Sequence, residues 1–218
     1  MSDIDLREAD PLADFLARVE TRLHPLPVGA DHAEPAAIRG DHDLDPSMAM
    51  PPGSPPPRPA AVLVPVIARP EPTVLLTQRS AALPEHPGQI AFPGGKIDPA
   101  DQTPIATALR EAEEEIGLDP ARVAPLGLLD TYLSRTGFRI LPVVAVVRPP
   151  FDLMINPHEV DEAFEVPLAF LMEPAHHLQH SRLWKGRERT YYAMPFGDRY
   201  IWGVTAGILR NLWERVYR

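Results

Sequence analysis

Residues 104–116 constrain this chain more than any other stretch. Thr103-Pro104 opens a helix and Gly117 closes it. At about 100° per residue, Ile105, Ala108, Leu109, Ala112 and Ile116 gather on one face of that helix. Glu111, Glu114 and Glu115 gather on another. With Glu111 at zero, Glu114 falls about 60° to one side and Glu115 about 40° to the other. The apolar stripe needs a core to lie against. The acidic stripe is unfavourable by itself, since like charges at these spacings repel by a few tenths of a kcal/mol per pair. Acidic residues in the last turn also oppose the helix dipole. A hard divalent cation would reverse that sign, taking carboxylate oxygens as ligands and leaving coordination for phosphates. A solvated acidic face is the alternative that the helix alone leaves open.

A glycine-rich loop precedes the helix. Phe92-Pro93-Gly94-Gly95 lets the backbone approach a ligand where a side chain would clash, and a carbonyl of this turn could complete a metal shell. Around it the chain alternates strands and helices. Ala60–Ala68 and Thr73–Arg79 read as strands joined by a proline turn, with Pro65 pointing to an edge or a bulge. Residues 123–132 and Phe138–Val147 read as strands, and the apolar run Val143–Val147 implies a central one covered on both faces. Glu162–Val166 is a further strand, Tyr191–Phe196 with Tyr200–Trp202 a hairpin pair, and residues 205–217 a closing helix. This interleaving predicts an α/β (α+β) sandwich with a mixed β-sheet. The expected organisation is an extension over 1–58 and a compact domain over 59–218. The extension carries an amphipathic helix at 11–23, then a linker or loosely attached segment rich in Pro, Asp, His and Gly.

Composition narrows the chemistry. The net charge of -9 argues against a surface that coats nucleic acid, so an anionic substrate must be met by local cations or metal. With no cysteine there is no disulfide, thiolate zinc site or cysteine nucleophile, which fits a reducing cytoplasm. No apolar run approaches the ~20 residues that span a bilayer, and the first residues lack the pattern of a secretory signal. An oligomer is compatible with all of this.

Arg110-Glu111-Ala112, Glu114-Glu115 and Gly117-Leu118 resemble the second half of the Nudix hydrolase signature without a gap. The first half matches if the loop holds one extra residue, which places Gly95 at the glycine position and Asp101 where the family has glutamate. Leu75-Leu76-Thr77-Gln78-Arg79-Ser80 and Gly88 to Gly95 are similar to the segment preceding this signature in coenzyme A pyrophosphatases, although Pro84 stands where that subfamily usually has arginine. Residues 201–209 also look like that subfamily. The resemblance implies a Nudix-like α/β/α sandwich and Mg²⁺- or Mn²⁺-dependent hydrolysis of a nucleoside diphosphate. Coenzyme A or an acyl derivative is the leading substrate; NADH, ADP-ribose or a diadenosine polyphosphate is the alternative. A Nudix-like binding domain without catalysis is the reading from another class. The implied metal ligands are Glu111, Glu114, Glu115 and the Gly95 carbonyl. Arg110 would orient carboxylates, and Arg79, Gly94 and Gly95 would contact substrate. The general base is Glu111 or a loop glutamate, Glu159 or Glu162.

Other groups carry weaker readings. Lys185, Arg187 and Arg189 form a small basic patch suited to a 3′-phosphate, and Arg135 and Arg139 flank a turn where they could meet a phosphate or water. His176, His177 and His180 have a spacing that could ligate metal, with no acidic motif beside them.

Overall fold

The computed structural model describes residues 10–27, 35, 37–184 and 186–218. A mixed sheet forms the middle layer. Its strands are β1 (Ile38–Gly40), β2 (Arg58–Ile67), β3 (Thr73–Arg79), β4 (Ile90–Ala91), β5 (Gly94–Lys96), β6 (Val123–Leu128), β7 (Thr131–Leu133), β8 (Phe138–Val147) and β9 (Val160–Pro167). The spatial order is β1-β7-β8-β2-β3-β4, with β5 on β2, β6 on β8 and β9 on β3. β10 (Leu178–Trp184), β11 (Arg187–Phe196) and β12 (Arg199–Trp202) make a second, antiparallel sheet. The helices are α1 (Pro11–Arg22), α2 (Pro104–Ile116), the one-turn α3 (Leu168–Leu171) and α4 (Val204–Val216).

Strand alternation builds two cores. β2 turns Ala61, Leu63 and Ile67 towards Ala108, Ala112 and Ile116 of α2. It turns Ala60, Val64 and Val66 towards Phe15 and Val19 of α1 and Ile208, Leu209 and Leu212 of α4. The sheet is thus covered on both faces, as the run Val143–Val147 of β8 predicts. Leu63, Ile116 and Leu209 are fully buried, each stabilising the fold by roughly 2–3 kcal/mol.

Three expectations are corrected. Pro65 lies in a central strand, not at an edge. β8 pairs with β2 over its whole length, while on the other side β5 takes Ala60–Val62 and β3 takes Val66 and Ile67. Pro65 falls between those two partners, where that side of β2 has no strand to bond. The segment after α1 is not a loose linker over its described length. β1 pairs in parallel with β7, the Tyr132 hydroxyl donates to Asp41 at 2.8 Å, Arg39 pairs with Glu214, and Met48 is buried. The expected strand over 123–132 is two, because Leu129 and Asp130 break the ladder between β6 and β7. The sequence reading also missed β10, whose polar residues face outward on a hairpin.

Candidate active site

Caps fix the acidic helix in place. The Thr103 hydroxyl accepts from the Ala106 N–H at 3.0 Å, and Gly117 ends the helix in the left-handed conformation. Its apolar stripe lies on the sheet, which turns Glu115 inward beside β5. Glu115 is only 5% exposed. It accepts one hydrogen bond from the Gly94 N–H, at 3.3 Å. Burial drives its carboxyl up to about 8, and the charges of Glu111 and Glu159 add to that shift, against the Gly94 contact and the charge of Arg79.

The two loop glycines are required by close packing. A Cβ on Gly95 would stand 2.5 Å from the Glu111 carboxylate, and one on Gly94 would stand 2.4 Å from the Ala61 carbonyl oxygen. The β5 backbone therefore lies directly on the carboxylates. Glu111 is half-buried, and burial raises its pKa as well.

Arg110 ties the acidic groups together. Its guanidinium donates to both oxygens of Asp101, at 3.0 and 2.9 Å. It also donates to Glu114 at 2.8 Å and lies 3.0 Å from a Glu111 oxygen. Asp101 is held further by the Thr107 hydroxyl at 2.8 Å and the Asp98 N–H at 3.0 Å. Arg110 keeps its carboxyl well below the ordinary range. Asp101 thus anchors the arginine that orders Glu111 and Glu114.

The loop from residue 152 to 159 closes over the end of α2. Met154 N–H donates to the Ile116 carbonyl and Asn156 N–H to the Glu115 carbonyl, both at 2.9 Å, satisfying two carbonyls that the helix leaves open. Glu159 stands at the end of this loop, and its backbone carbonyl accepts from the Ser80 N–H at 2.9 Å. Its charge reaches Glu111 and Glu115 and pushes both up. Glu162, the other loop candidate, is bound bidentately by Arg199 at 2.6 and 2.7 Å. Arg79 ends β3 beside Glu159. Its buried Nε has no hydrogen-bond partner among the described residues.

The fold therefore brings together Gly94, Gly95, Glu111, Glu115, Glu159 and Arg79, with Arg110 and Asp101 behind them. Glu114 departs from the expected convergence: its side chain is 55% exposed and turned to Arg110. No three acidic or histidine side chains among the described residues stand gathered for a metal. The donor set nevertheless suits a hard cation. Glu111 and Glu115, with Glu159 nearby, all offer oxygen, and a cation would favour the charged form of Glu115 that burial opposes. The Gly94 N–H, Arg79 and the Arg110 guanidinium beside Glu111 are set against their charge.

The remaining candidates fall elsewhere. His177 is buried 2.7 Å from the Leu171 carbonyl oxygen, His176 contacts the Phe170 carbonyl oxygen, and His180 contacts Tyr200, so the three do not converge. Arg135 donates to the Met48 carbonyl at 3.0 Å. Lys185 lies outside the described residues. Sequence reasoning missed the bidentate hold of Asp101 on Arg110 and the loop that caps α2. The signal for the first was Asp101 nine residues before Arg110; the second had no local signal.

Comparison with known proteins places a NUDIX domain over residues 57–186. A protein of Photorhabdus laumondii subsp. laumondii, described as an uncharacterized Nudix hydrolase, NudL, is 45% identical over 161 residues, covering 73% of this chain and 85% of the relative. Its namesake in Escherichia coli K12 is 41% identical over 155 residues, covering 71% and 81%. A crystal structure of a C. elegans Ap4A hydrolase binary complex aligns with 50% of this chain and 80% of that one, at 23% identity and a TM-score of 0.44.

Proposed function

This chain belongs to the Nudix family and is a hydrolase of diphosphate bonds, and from that premise we propose that it cleaves coenzyme A or its acyl derivatives to 3′,5′-ADP and (acyl-)4′-phosphopantetheine. The observation that carries the site assignment is the buried Glu115 against the Gly94 N–H, with Glu111 and Glu159 close enough to raise it. Segment 75–95 supports the choice of substrate by its resemblance to coenzyme A pyrophosphatases.

Glu111, Glu114, Glu115 and the Gly95 carbonyl would hold Mg²⁺ or Mn²⁺. When bound, that ion neutralises phosphate charge and acidifies water. To join the other ligands, Glu114 would have to give up its exposed i,i+4 pair with Arg110, worth only a few tenths of a kcal/mol. The protein's own residues divide the rest of the work. Arg79 binds a phosphate oxygen through the guanidinium whose Nε has no partner among the described residues. Glu159 takes the proton from water as its oxygen attacks phosphorus and the bridging P–O bond breaks. Arg110, anchored by Asp101, holds Glu111 in register. The absence of cysteine favours the cytoplasm as its compartment.

A second reading rests on Pro84, where the coenzyme A pattern has arginine. It is the same chemistry on NADH, ADP-ribose or a diadenosine polyphosphate. Incubating the protein and Mg²⁺ or Mn²⁺ with each substrate, and identifying products by mass, decides between them. Bisphosphorylated adenosine from coenzyme A is the expected result; release of AMP from ADP-ribose alone would overturn it.

A further inference from the structure

Asn156 sits where the chain turns from the end of α2 into β9, and both its backbone and its side chain bond across that junction. Its N–H donates to the Glu115 carbonyl at 2.9 Å. Its carbonyl accepts from the Glu159 N–H at 3.0 Å and from the Val160 N–H at 2.9 Å. Its side-chain Oδ1 accepts from the His158 N–H at 3.1 Å. A single residue thus grips the backbone of Glu115 on one side and the backbone of Glu159 on the other.

The local sequence accounts for this grip. Asn156 precedes Pro157, which drives it to extended backbone and brings no N–H of its own. The Oδ1 therefore closes on the next N–H along, that of His158, in the short turn that asparagine favours. Residues 157–159 wind into that turn. The Asn156 carbonyl then meets the N–H groups three and four residues on.

The far side of Glu159 is held as well. The Ser80 N–H, one residue beyond Arg79, donates to the Glu159 carbonyl at 2.9 Å. Where β3 pairs with β9, Gln78 lies opposite Glu162 and Arg79 opposite Val160, so Asp161 is a bulge with no partner in the ladder. Its carboxylate accepts from the Ala81 N–H at 2.9 Å and fixes the bulge. The extra residue returns Val160 to the α2 face, where it is buried with Ile116 and Leu118. Glu159 is bracketed between Arg79 and Glu115, and its charge adds to burial in raising Glu111 and Glu115.

We propose that Asn156 is a positioning residue: through the turn it ties to α2, it sets where Glu159 stands relative to Glu111 and Glu115. Its part in the reaction rests on the reading of Glu159 as the base. Asn156→Ala removes the Oδ1 and leaves Arg79, Glu115 and Glu159 in the chain. Amide hydrogen exchange of this variant, followed by NMR without substrate, should quicken at His158, Glu159 and Val160 and hold at Gly94 and at residues 108–112 of α2. With Mg²⁺ and coenzyme A, or ADP-ribose if that is what the protein cleaves, kcat should fall about tenfold at unchanged KM. Asn156→Asp keeps an oxygen at the same place and should recover most of the rate. Added to Glu159→Gln, Asn156→Ala should cost nothing further, because no base is left to misplace. Losses that multiply, a rise in KM in place of the fall in kcat, or unchanged exchange at Glu159 and Val160 would overturn the role. Full activity in Glu159→Gln would sink the base assignment alone, and the exchange rates would still decide whether Asn156 holds the turn.

Discussion

Two carboxylates, Glu115 and Asp130, are buried against opposite faces of one sheet, 5% and 7% exposed, and their surroundings treat them in opposite ways. Asp130, on the α4 face, accepts from Asn211 Nδ2 and Arg215 Nη1 at 2.9 Å each, with His24 Nε2 at 2.7 Å. Burial pushes it up, but His24, Asn211 and Arg215 more than offset that, and its pKa settles below the ordinary carboxylate value. Glu115, on the α2 face, has one 3.3 Å contact and is driven up to about 8. Equal burial with unequal compensation separates a group that fastens the fold from one left short of partners, the one the proposed function assigns to a cation.

Exchanging the roles of the two groups tests this contrast. Glu115→Gln should lower kcat about 10³-fold with the thermal midpoint held or raised, since folding no longer has to protonate a buried carboxyl; circular dichroism and product assays read both. A variant that keeps its rate would dissolve the distinction. Asp130→Ala should do the reverse, leaving kcat unchanged and costing about 3 kcal/mol in urea unfolding, because Arg215 loses a buried partner. Asp101→Asn should fall between them, with kcat reduced about tenfold at unchanged KM, and Asp101→Glu should recover part of the loss. A larger effect on KM than on kcat would place Asp101 on the substrate instead of behind Arg110.

The smallest effect is in the pH dependence of stability. Asp130 has a folded pKa below its unfolded value of about 3.9. Its contribution is therefore complete above that value and lost as pH falls through the folded pKa. Unfolding free energy should drop with acid below about pH 4, and Asp130→Asn should flatten that part of the curve. An unaltered acid slope in the variant would mean that His24, Asn211 and Arg215 do not hold the charge as described.

The residues that were legible in the sequence were those with short-range causes. Thr103 and Gly117 bound α2 by capping, the stripe through Ile105 and Ile116 faces it to the sheet, and Gly94-Gly95 signals close approach. Together with the resemblance, these located the acidic helix and its loop before any coordinates. What was hidden depends on pairing across distance. β1 is three residues that become a strand only because β7 lies beside them. Pro65 reads as an edge signal, since nothing in the local pattern shows that β2 changes partner there. Glu159 and Glu162 were equivalent in the sequence, and Arg199, thirty-seven residues beyond Glu162, separates them.

The parallel pairing of β2 with β8 bears on how this chain is made. Arg58 meets Phe138, so the earlier strand waits for eighty residues to be translated, about 4–16 s at common rates of synthesis. Throughout that interval a segment destined for burial on both faces has no partner on its β8 side. Nascent chains should therefore attract chaperones until the later strand emerges, and truncations ending before Phe138 should aggregate instead of folding around the acidic helix.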